Sequence, residues 1–157
     1  MITVSVELKT IEIYMVQKLA WVFGVVFVAI GVLGFVPGVT SADGHLLGIF
    51  EVDALHNVIH LVTGLVFLAV AWKYNEYTKI SFKVFGVVYG LVTILGFISG
   101  GSVLGLIAVN MADNVLHLLV AAVALYAGFM MKDDMGGMSS NMGGNSGMGS
   151  DTAGQGM

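Results

Sequence analysis

The chain has 157 residues, of which 57% are hydrophobic and 10% charged, with a formal net charge of −4. A soluble domain carries about a quarter charged residues, so this composition cannot cover a water-facing surface. An acidic chain without arginine excludes nucleic-acid binding, which needs clustered basic residues, and the lack of cysteine excludes disulfides, thiolate metal sites and cysteine nucleophiles.

Residues 1–17 form an N-terminal arm that mixes strand-like alternation with a few charges. It has neither the basic head nor the small-residue cleavage site of a signal peptide. Met15-Val16-Gln17-Lys18 leads straight into the first apolar run, so Met15 reads as an alternative start. The transmembrane domain follows over residues 18–131. Its first membrane segment runs from about Leu19 to Val36 without a charge and is ended by Pro37-Gly38. The second runs from about Ala54 to Trp72, the third from about Phe82 to Ser99 and the fourth from about Met111 to Met131. At 1.5 Å per residue, a helix of about 20 residues spans roughly 30 Å, the hydrocarbon thickness. Charge-free runs of this length are rare in the buried helices of soluble proteins.

After Lys132 the sequence turns to Gly, Ser, Asn and Met, giving a tail over 132–157 with almost nothing to bury and an expectation of disorder. Its thioethers are soft ligands suited to Cu(I), but their irregular spacing favours a simply solvated tail.

All six lysines (Lys9, Lys18, Lys73, Lys79, Lys83 and Lys132) fall in the arm, in the loop between the second and third segments, or just after the fourth. Loops 37–53 and 100–110 contain none. The positive-inside rule makes the lysine side cytoplasmic. The expectation is a multi-pass protein of the cell (plasma) membrane with both termini inside, and with Trp21 and Trp72 as interfacial anchors near the cytoplasmic ends.

An internal repeat runs beneath this order. Val22-Phe23-Gly24-Val25-Val26 returns as Val84-Phe85-Gly86-Val87-Val88, and Leu33-Gly34-Phe35 as Leu95-Gly96-Phe97. Each unit is helix, outer loop, helix, over about 19–72 and 82–131. Two such units have the same topology and should be related by a pseudo-two-fold axis along the membrane normal. The outer loops carry apolar runs, Leu46 to Phe50 and Val103 to Val109, that read as short extended segments or interfacial helices. Gly24, Gly34, Gly86, Gly90 and Gly96 are candidate sites of close helix packing: Gly34/Gly38, Gly86/Gly90 and Gly96/Gly100 are each spaced four apart, and Gly24 matches Gly86 in the repeat.

The chemistry lies in two polar heads, Asp53-Ala54-Leu55-His56-Asn57-Val58-Ile59-His60 and Asn110-Met111-Ala112-Asp113-Asn114-Val115-Leu116-His117. Asp53 and Asn110 are preferred N-cap residues, and Asp113 stands three residues after Asn110, as in a capping box. His60 and His117 fall roughly 10 Å along their helices, inside the outer leaflet. A buried ring without a partner costs about 1–3 kcal/mol. Each should therefore find a partner among His56, Asn57, Asp113 and Asn114 at helical spacing, or among Thr63, Tyr89 and Thr93. His45, in an outer loop, reads as solvated.

Three readings of the cluster follow. It is interhelical glue between the halves; or His56, His60, His117 and Asp113 hold a divalent metal, with haem between His60 and His117 as a variant; or the cluster lines a pocket or pathway for a small molecule, ion or proton. Glue is the expectation adopted, and no cofactor is required by it. No nucleophile stands beside a base in an evident motif and no glycine loop suits phosphate, so the chain is not read as an enzyme.

The run Val22 to Pro37, the loop Leu47-Gly48-Ile49-Phe50-Glu51-Val52-Asp53 and the two histidine-bearing heads resemble a small four-helix membrane family of bacteria and archaea, the domain of unknown function 4383 family. The resemblance covers about residues 16–130, leaving the arm and tail outside. It implies an integral membrane protein of this fold and no established activity, cofactor or substrate. The expected fold is therefore an all-α, integral membrane four-helix bundle of two tandem two-helix repeats. The expected function is structural or accessory, in contact with the lipid bilayer and with a second copy or another membrane protein as partner.

Overall fold

A computed structural model describes residues 2–131, with side chains from residue 15 onward. One helix, α1 (Ile2–Leu33), carries the chain from the arm through the first membrane segment. The strand-like alternation of the arm is thus not realised, because the helix continues through it. The tail and its methionines lie outside the described residues.

Helix α1 stops three residues short of the expected Val36. Pro37 disfavours helical backbone in the residue before it, and the amides of Phe35 and Val36 turn to the carbonyls of Val32 and Leu33 in tighter bonds. The Thr40 hydroxyl donates to the freed Leu33 carbonyl at 3.1 Å. The first outer loop then forms a short antiparallel hairpin, β1 (His45–Leu46) with β2 (Phe50–Glu51). Helix α2 (Ala54–Trp72) returns across the membrane at the expected boundaries. A 3₁₀ turn at Asn75–Tyr77 leads into α3 (Thr78–Ser99), which starts four residues before the apolar run at Phe82 because the helix extends into the polar Thr78–Ser81 turn. Gly100, in the left-handed region at φ 67°, ends α3. A second hairpin, β3 (Ser102–Val103) with β4 (Ile107–Ala108), precedes α4 (Met111–Leu125). A π-helical turn at Tyr126–Met130 follows α4.

Four segments, Met15–Leu33, Ala54–Trp72, Asn75–Ser99 and Met111–Met130, are long and apolar enough to cross a bilayer. The molecule is an integral membrane four-helix bundle. Val25, Val62, Leu65, Val84, Leu91, Ile94 and Leu119 are exposed on its flanks, a surface suited to lipid rather than water. Trp21 and Trp72 are exposed near the end opposite the hairpins.

Helix α1 packs mainly on α2, and α3 on α4. Within each pair, glycine sets the approach. A Cβ on Gly24 would lie 2.6 Å from the Leu68 side chain, one on Gly86 2.9 Å from Leu125, and one on Gly64 2.6 Å from the Val28 backbone nitrogen. Gly90 is the exception to the expected packing set: nothing lies within 4 Å of its Cβ position, since that face of α3 meets no neighbouring helix. The two pairs join through an aromatic core. Phe23 meets Phe82 edge-on at 5.1 Å and Phe67 at 5.5 Å, while Phe85 stacks on Tyr89 at 4.0 Å.

Candidate functional site

Both hairpins sit at one end of the bundle, each against the helix of the other half. Asp53 caps α2, accepting from the His56 amide at 2.8 Å through Oδ1, and its Oδ2 accepts from Ala108 of β4 at 2.6 Å. Asn110 and Asp113 form the full capping box of α4, with bonds of 3.0 and 2.9 Å. Asp113 Oδ2 also accepts from the Glu51 amide of β2 at 2.9 Å, and Asn110 Nδ2 donates to the Ile49 carbonyl at 2.7 Å. The caps therefore cross-tie the two hairpins. Asp53→Ala removes a cap, worth about 1 kcal/mol, and strands the Ala108 amide, worth about 1–3 kcal/mol. We expect a loss of about 2–3 kcal/mol in detergent unfolding. Asp53→Asn should recover only part of it, because its side chain keeps one acceptor oxygen for the two amides of His56 and Ala108 and turns a donor nitrogen toward the other.

The loops between the paired strands share an unusual backbone. Leu47 and Leu104 both stand at φ 54°, followed by Gly48 at 71° and Gly105 at 70°. Positive φ at two successive positions fits the primed turns that match strand twist, at a cost of about 1–2 kcal/mol for each leucine.

Asn57 and Asn114 are buried but turn away from the imidazoles. A Cβ on Gly34 would overlap Asn57 Oδ1, and one on Gly96 would overlap Asn114 Oδ1. Neither amide oxygen has a conventional hydrogen-bond donor among the described residues. Each amide fills the space that a side chain on the glycine would occupy. Gly34 and Gly96 therefore serve as seats for an asparagine.

The three imidazoles converge. His56 and His60 rise four residues apart on α2, and His117 reaches the same level from α4. They are only 3%, 7% and 5% exposed. Ring centroids lie 4.7 Å apart for His56–His60, 5.7 Å for His56–His117 and 6.1 Å for His60–His117. One nitrogen from each lies within 4.8 Å of the others. His56 Nδ1 lies 3.0 Å from the Ala108 carbonyl. A carbonyl only accepts, so Nδ1 carries the hydrogen and the neutral ring keeps its lone pair at Nε2. The Nδ1 atoms of His60 and His117 are buried without a hydrogen-bond partner among the described residues. Asp113, expected as a fourth member, is not in the converging group; its Oδ2 is held by two backbone amides.

A cavity of about 140 Å³ adjoins the rings, lined by His56, His60, His117 and Asp113 and otherwise by apolar side chains, among them Ile30, Leu33, Phe50 and Leu116. Two of the rings also pack on aromatic side chains: Phe27 stacks on His60 at 5.1 Å, and Tyr89 meets His117 edge-on at 5.5 Å. Of the further hydroxyl candidates, Thr93 donates within its own helix to the Tyr89 carbonyl at 2.7 Å, and Thr63 stands beside the Tyr89 hydroxyl. His45 lies apart, 3.1 Å from the Asp43 carboxylate at an angle too poor for a hydrogen bond. The Asp43 carboxyl is held below its usual range chiefly by the Ser41 hydroxyl.

A family model described as domain of unknown function (DUF4383) matches residues 17–130. The chain belongs to this family. No match was found among curated proteins or among solved structures.

Proposed function

We propose that this member of the family is a membrane protein that binds one divalent transition metal at the His56–His60–His117 centre. The observation that carries the reading is the convergence of three buried imidazoles, two of them with a ring nitrogen that has no hydrogen-bond partner among the described residues. Interhelical glue would have paired those nitrogens, whereas an unfilled ligand set need not. The three ring nitrogens lie within 4.8 Å of one another, and at a tetrahedral zinc with bonds of about 2.0–2.1 Å ligand nitrogens stand about 3.3 Å apart, so the rings need close by at most about 1.5 Å. His56 already donates its other nitrogen to a backbone carbonyl, the support that metal-bound histidines generally have.

The cavity is too small for a macrocycle, since even modest ligand sites occupy about 300–1,000 Å³, and this disfavours haem. Phe27 and Tyr89, packed against His60 and His117, count against a pathway running on toward Thr93. No serine, threonine or lysine is among the residues lining the chamber, so the protein itself supplies no side-chain nucleophile there and the reading is of a metal-binding centre. The structural role belongs to the other part of the cluster: Asp53, Asn110 and Asp113 tie the hairpins across the bundle and support an accessory, scaffolding reading of the same end. The test is equilibrium dialysis of chelator-treated protein against Zn(II) or Co(II). One ion per chain is expected, and none at micromolar metal would overturn the reading.

The lysine distribution supports hairpins on the outside of the plasma membrane, both termini in the cytoplasm, and two tandem units about an axis along the membrane normal. The centre would then take its ion from the exterior. The chain has no cysteine, so single labels report cleanly. Ala42→Cys in intact cells should react with an impermeant maleimide and Glu76→Cys only after lysis; the reverse pattern would invert the topology.

A further inference from the structure

We infer that the metal at this centre keeps one coordination position open toward the apolar chamber and takes a small exogenous ligand there, water or a small monovalent anion. The inference rests on the metal reading and goes one step past it, from what holds the ion to what the ion holds.

It follows first from counting donors. Three imidazole nitrogens converge. The other polar residue lining the chamber is Asp113, which does not belong to the converging group, and its Oδ2 accepts from the Glu51 and Asn110 amides at 2.9 Å each. Recruiting that oxygen would break the α4 capping box and release the β2 strand together. The amide oxygens of Asn57 and Asn114 are turned onto Gly34 and Gly96. Among the described residues, no fourth protein ligand is poised to join the histidines. Zinc and cobalt take at least four ligands, and a structural zinc site fills all four from the protein. Three protein ligands leave a place for something else.

The space beside the rings makes the same point. A water needs at least about 10–15 Å³ of accessible volume, and the chamber offers about 140 Å³. A water or a triatomic anion fits there beside the ion; a large organic ligand does not. The chemistry of the walls selects within that class. Three neutral imidazoles leave a divalent ion its full charge, and walls such as Ile30, Leu33 and Phe50 do not screen it. Charges attract more strongly in such surroundings than in water. An anion that neutralises part of that charge is favoured, and a bound water is acidified. The β1–β2 hairpin supplies Leu46, Leu47 and Phe50 to the chamber, so the open position lies beneath it.

The test is Co(II) loading of the full chain in detergent, followed by titration with sodium azide while the visible d–d bands are recorded. The expected result is one Co(II) per chain and a saturable band shift with azide, without loss of cobalt. Benzoate, too large for the chamber, should leave the bands unchanged. Cobalt bound with bands unmoved by azide would overturn the open position while leaving the metal reading intact. Failure to bind cobalt would overturn both. Asp113→Asn, which keeps an acceptor for the two amides, should bind cobalt with the wild-type spectrum; an altered spectrum would make Asp113 the fourth ligand and sink the inference. Should that variant not fold, the azide titration of the wild-type chain decides alone.

Discussion

His117→Phe is expected to weaken Zn(II) or Co(II) binding by several hundred-fold while leaving the metal-free protein nearly as stable as before. The affinity loss follows from dividing roughly 10–16 kcal/mol for a four-ligand zinc site among its ligands, about 2.5–4 kcal/mol each, with the upper half of that range giving several hundred-fold. The small stability change has two opposing sources. The variant keeps a planar ring against Tyr89 and His60, and it removes a buried nitrogen that has no partner among the described residues. An unpaired buried polar atom costs about 1–3 kcal/mol, so its removal offsets an imperfect fit. The structural alternative expects the opposite signature. If the imidazoles held the halves together, His117→Phe would lower the unfolding midpoint of metal-free protein, and no metal effect would accompany it. Calorimetric titration with metal, beside thermal unfolding with and without chelator, separates the two.

Gly96→Ala is expected to cost about 2–4 kcal/mol, more than a typical helix-surface change. A Cβ at this position would overlap Asn114 Oδ1. Overpacking alone costs about 1–3 kcal/mol, and displacing a buried amide adds to it. Gly34→Ala should behave alike, because Asn57 is seated on it in the same way. Gly90→Ala is the control. Nothing lies within 4 Å of its Cβ position, and alanine in a helix is favoured over glycine by about 0.5–1 kcal/mol, so it should be neutral or stabilising. The double variant Gly96→Ala/Asn114→Ala should be less destabilised than the sum of its parts, since the two side chains compete for one space. Denaturant unfolding in a fixed detergent measures all four. Equal losses for Gly96→Ala and Gly90→Ala would remove the asparagine seat.

The membrane spans were legible because they are long, apolar and nearly free of charge, with Lys83 and Asp113 close to the ends of theirs, and carry their own stops. Pro37 cannot continue a helix, Asp53 and Asn110 are good caps, and Gly100 tolerates the left-handed turn that ends α3. The capping box was legible from Asn110 and Asp113 alone. The hairpins were not, since two-residue strands carry no periodicity and leucine is a poor marker for the positive φ that Leu47 and Leu104 adopt. The arm misled because alternating apolar residues look like a strand when the helix that extends through them is not considered.

At the site, the spacing of His56 and His60 and the matched position of His117 were readable. Which groups face each other was not. Asp113 has the chemistry of a ligand, but the Glu51 and Asn110 amides claim its oxygen, and backbone donors arriving from a distant hairpin leave no mark in a sequence. Asn57 and Asn114 were natural partners for the histidines by spacing. They point instead at Gly34 and Gly96, a pairing visible beforehand only as two glycines and two asparagines recurring at matched positions.

X-ray absorption at the zinc edge of protein loaded with one equivalent of Zn(II) tests the centre most directly. Three imidazole nitrogens at about 2.0–2.1 Å, with one further light ligand and the outer-shell scattering of the rings, is the expected spectrum. A zinc surrounded only by water or carboxylate oxygens, with no imidazole scattering, would place the ion elsewhere and contradict the account.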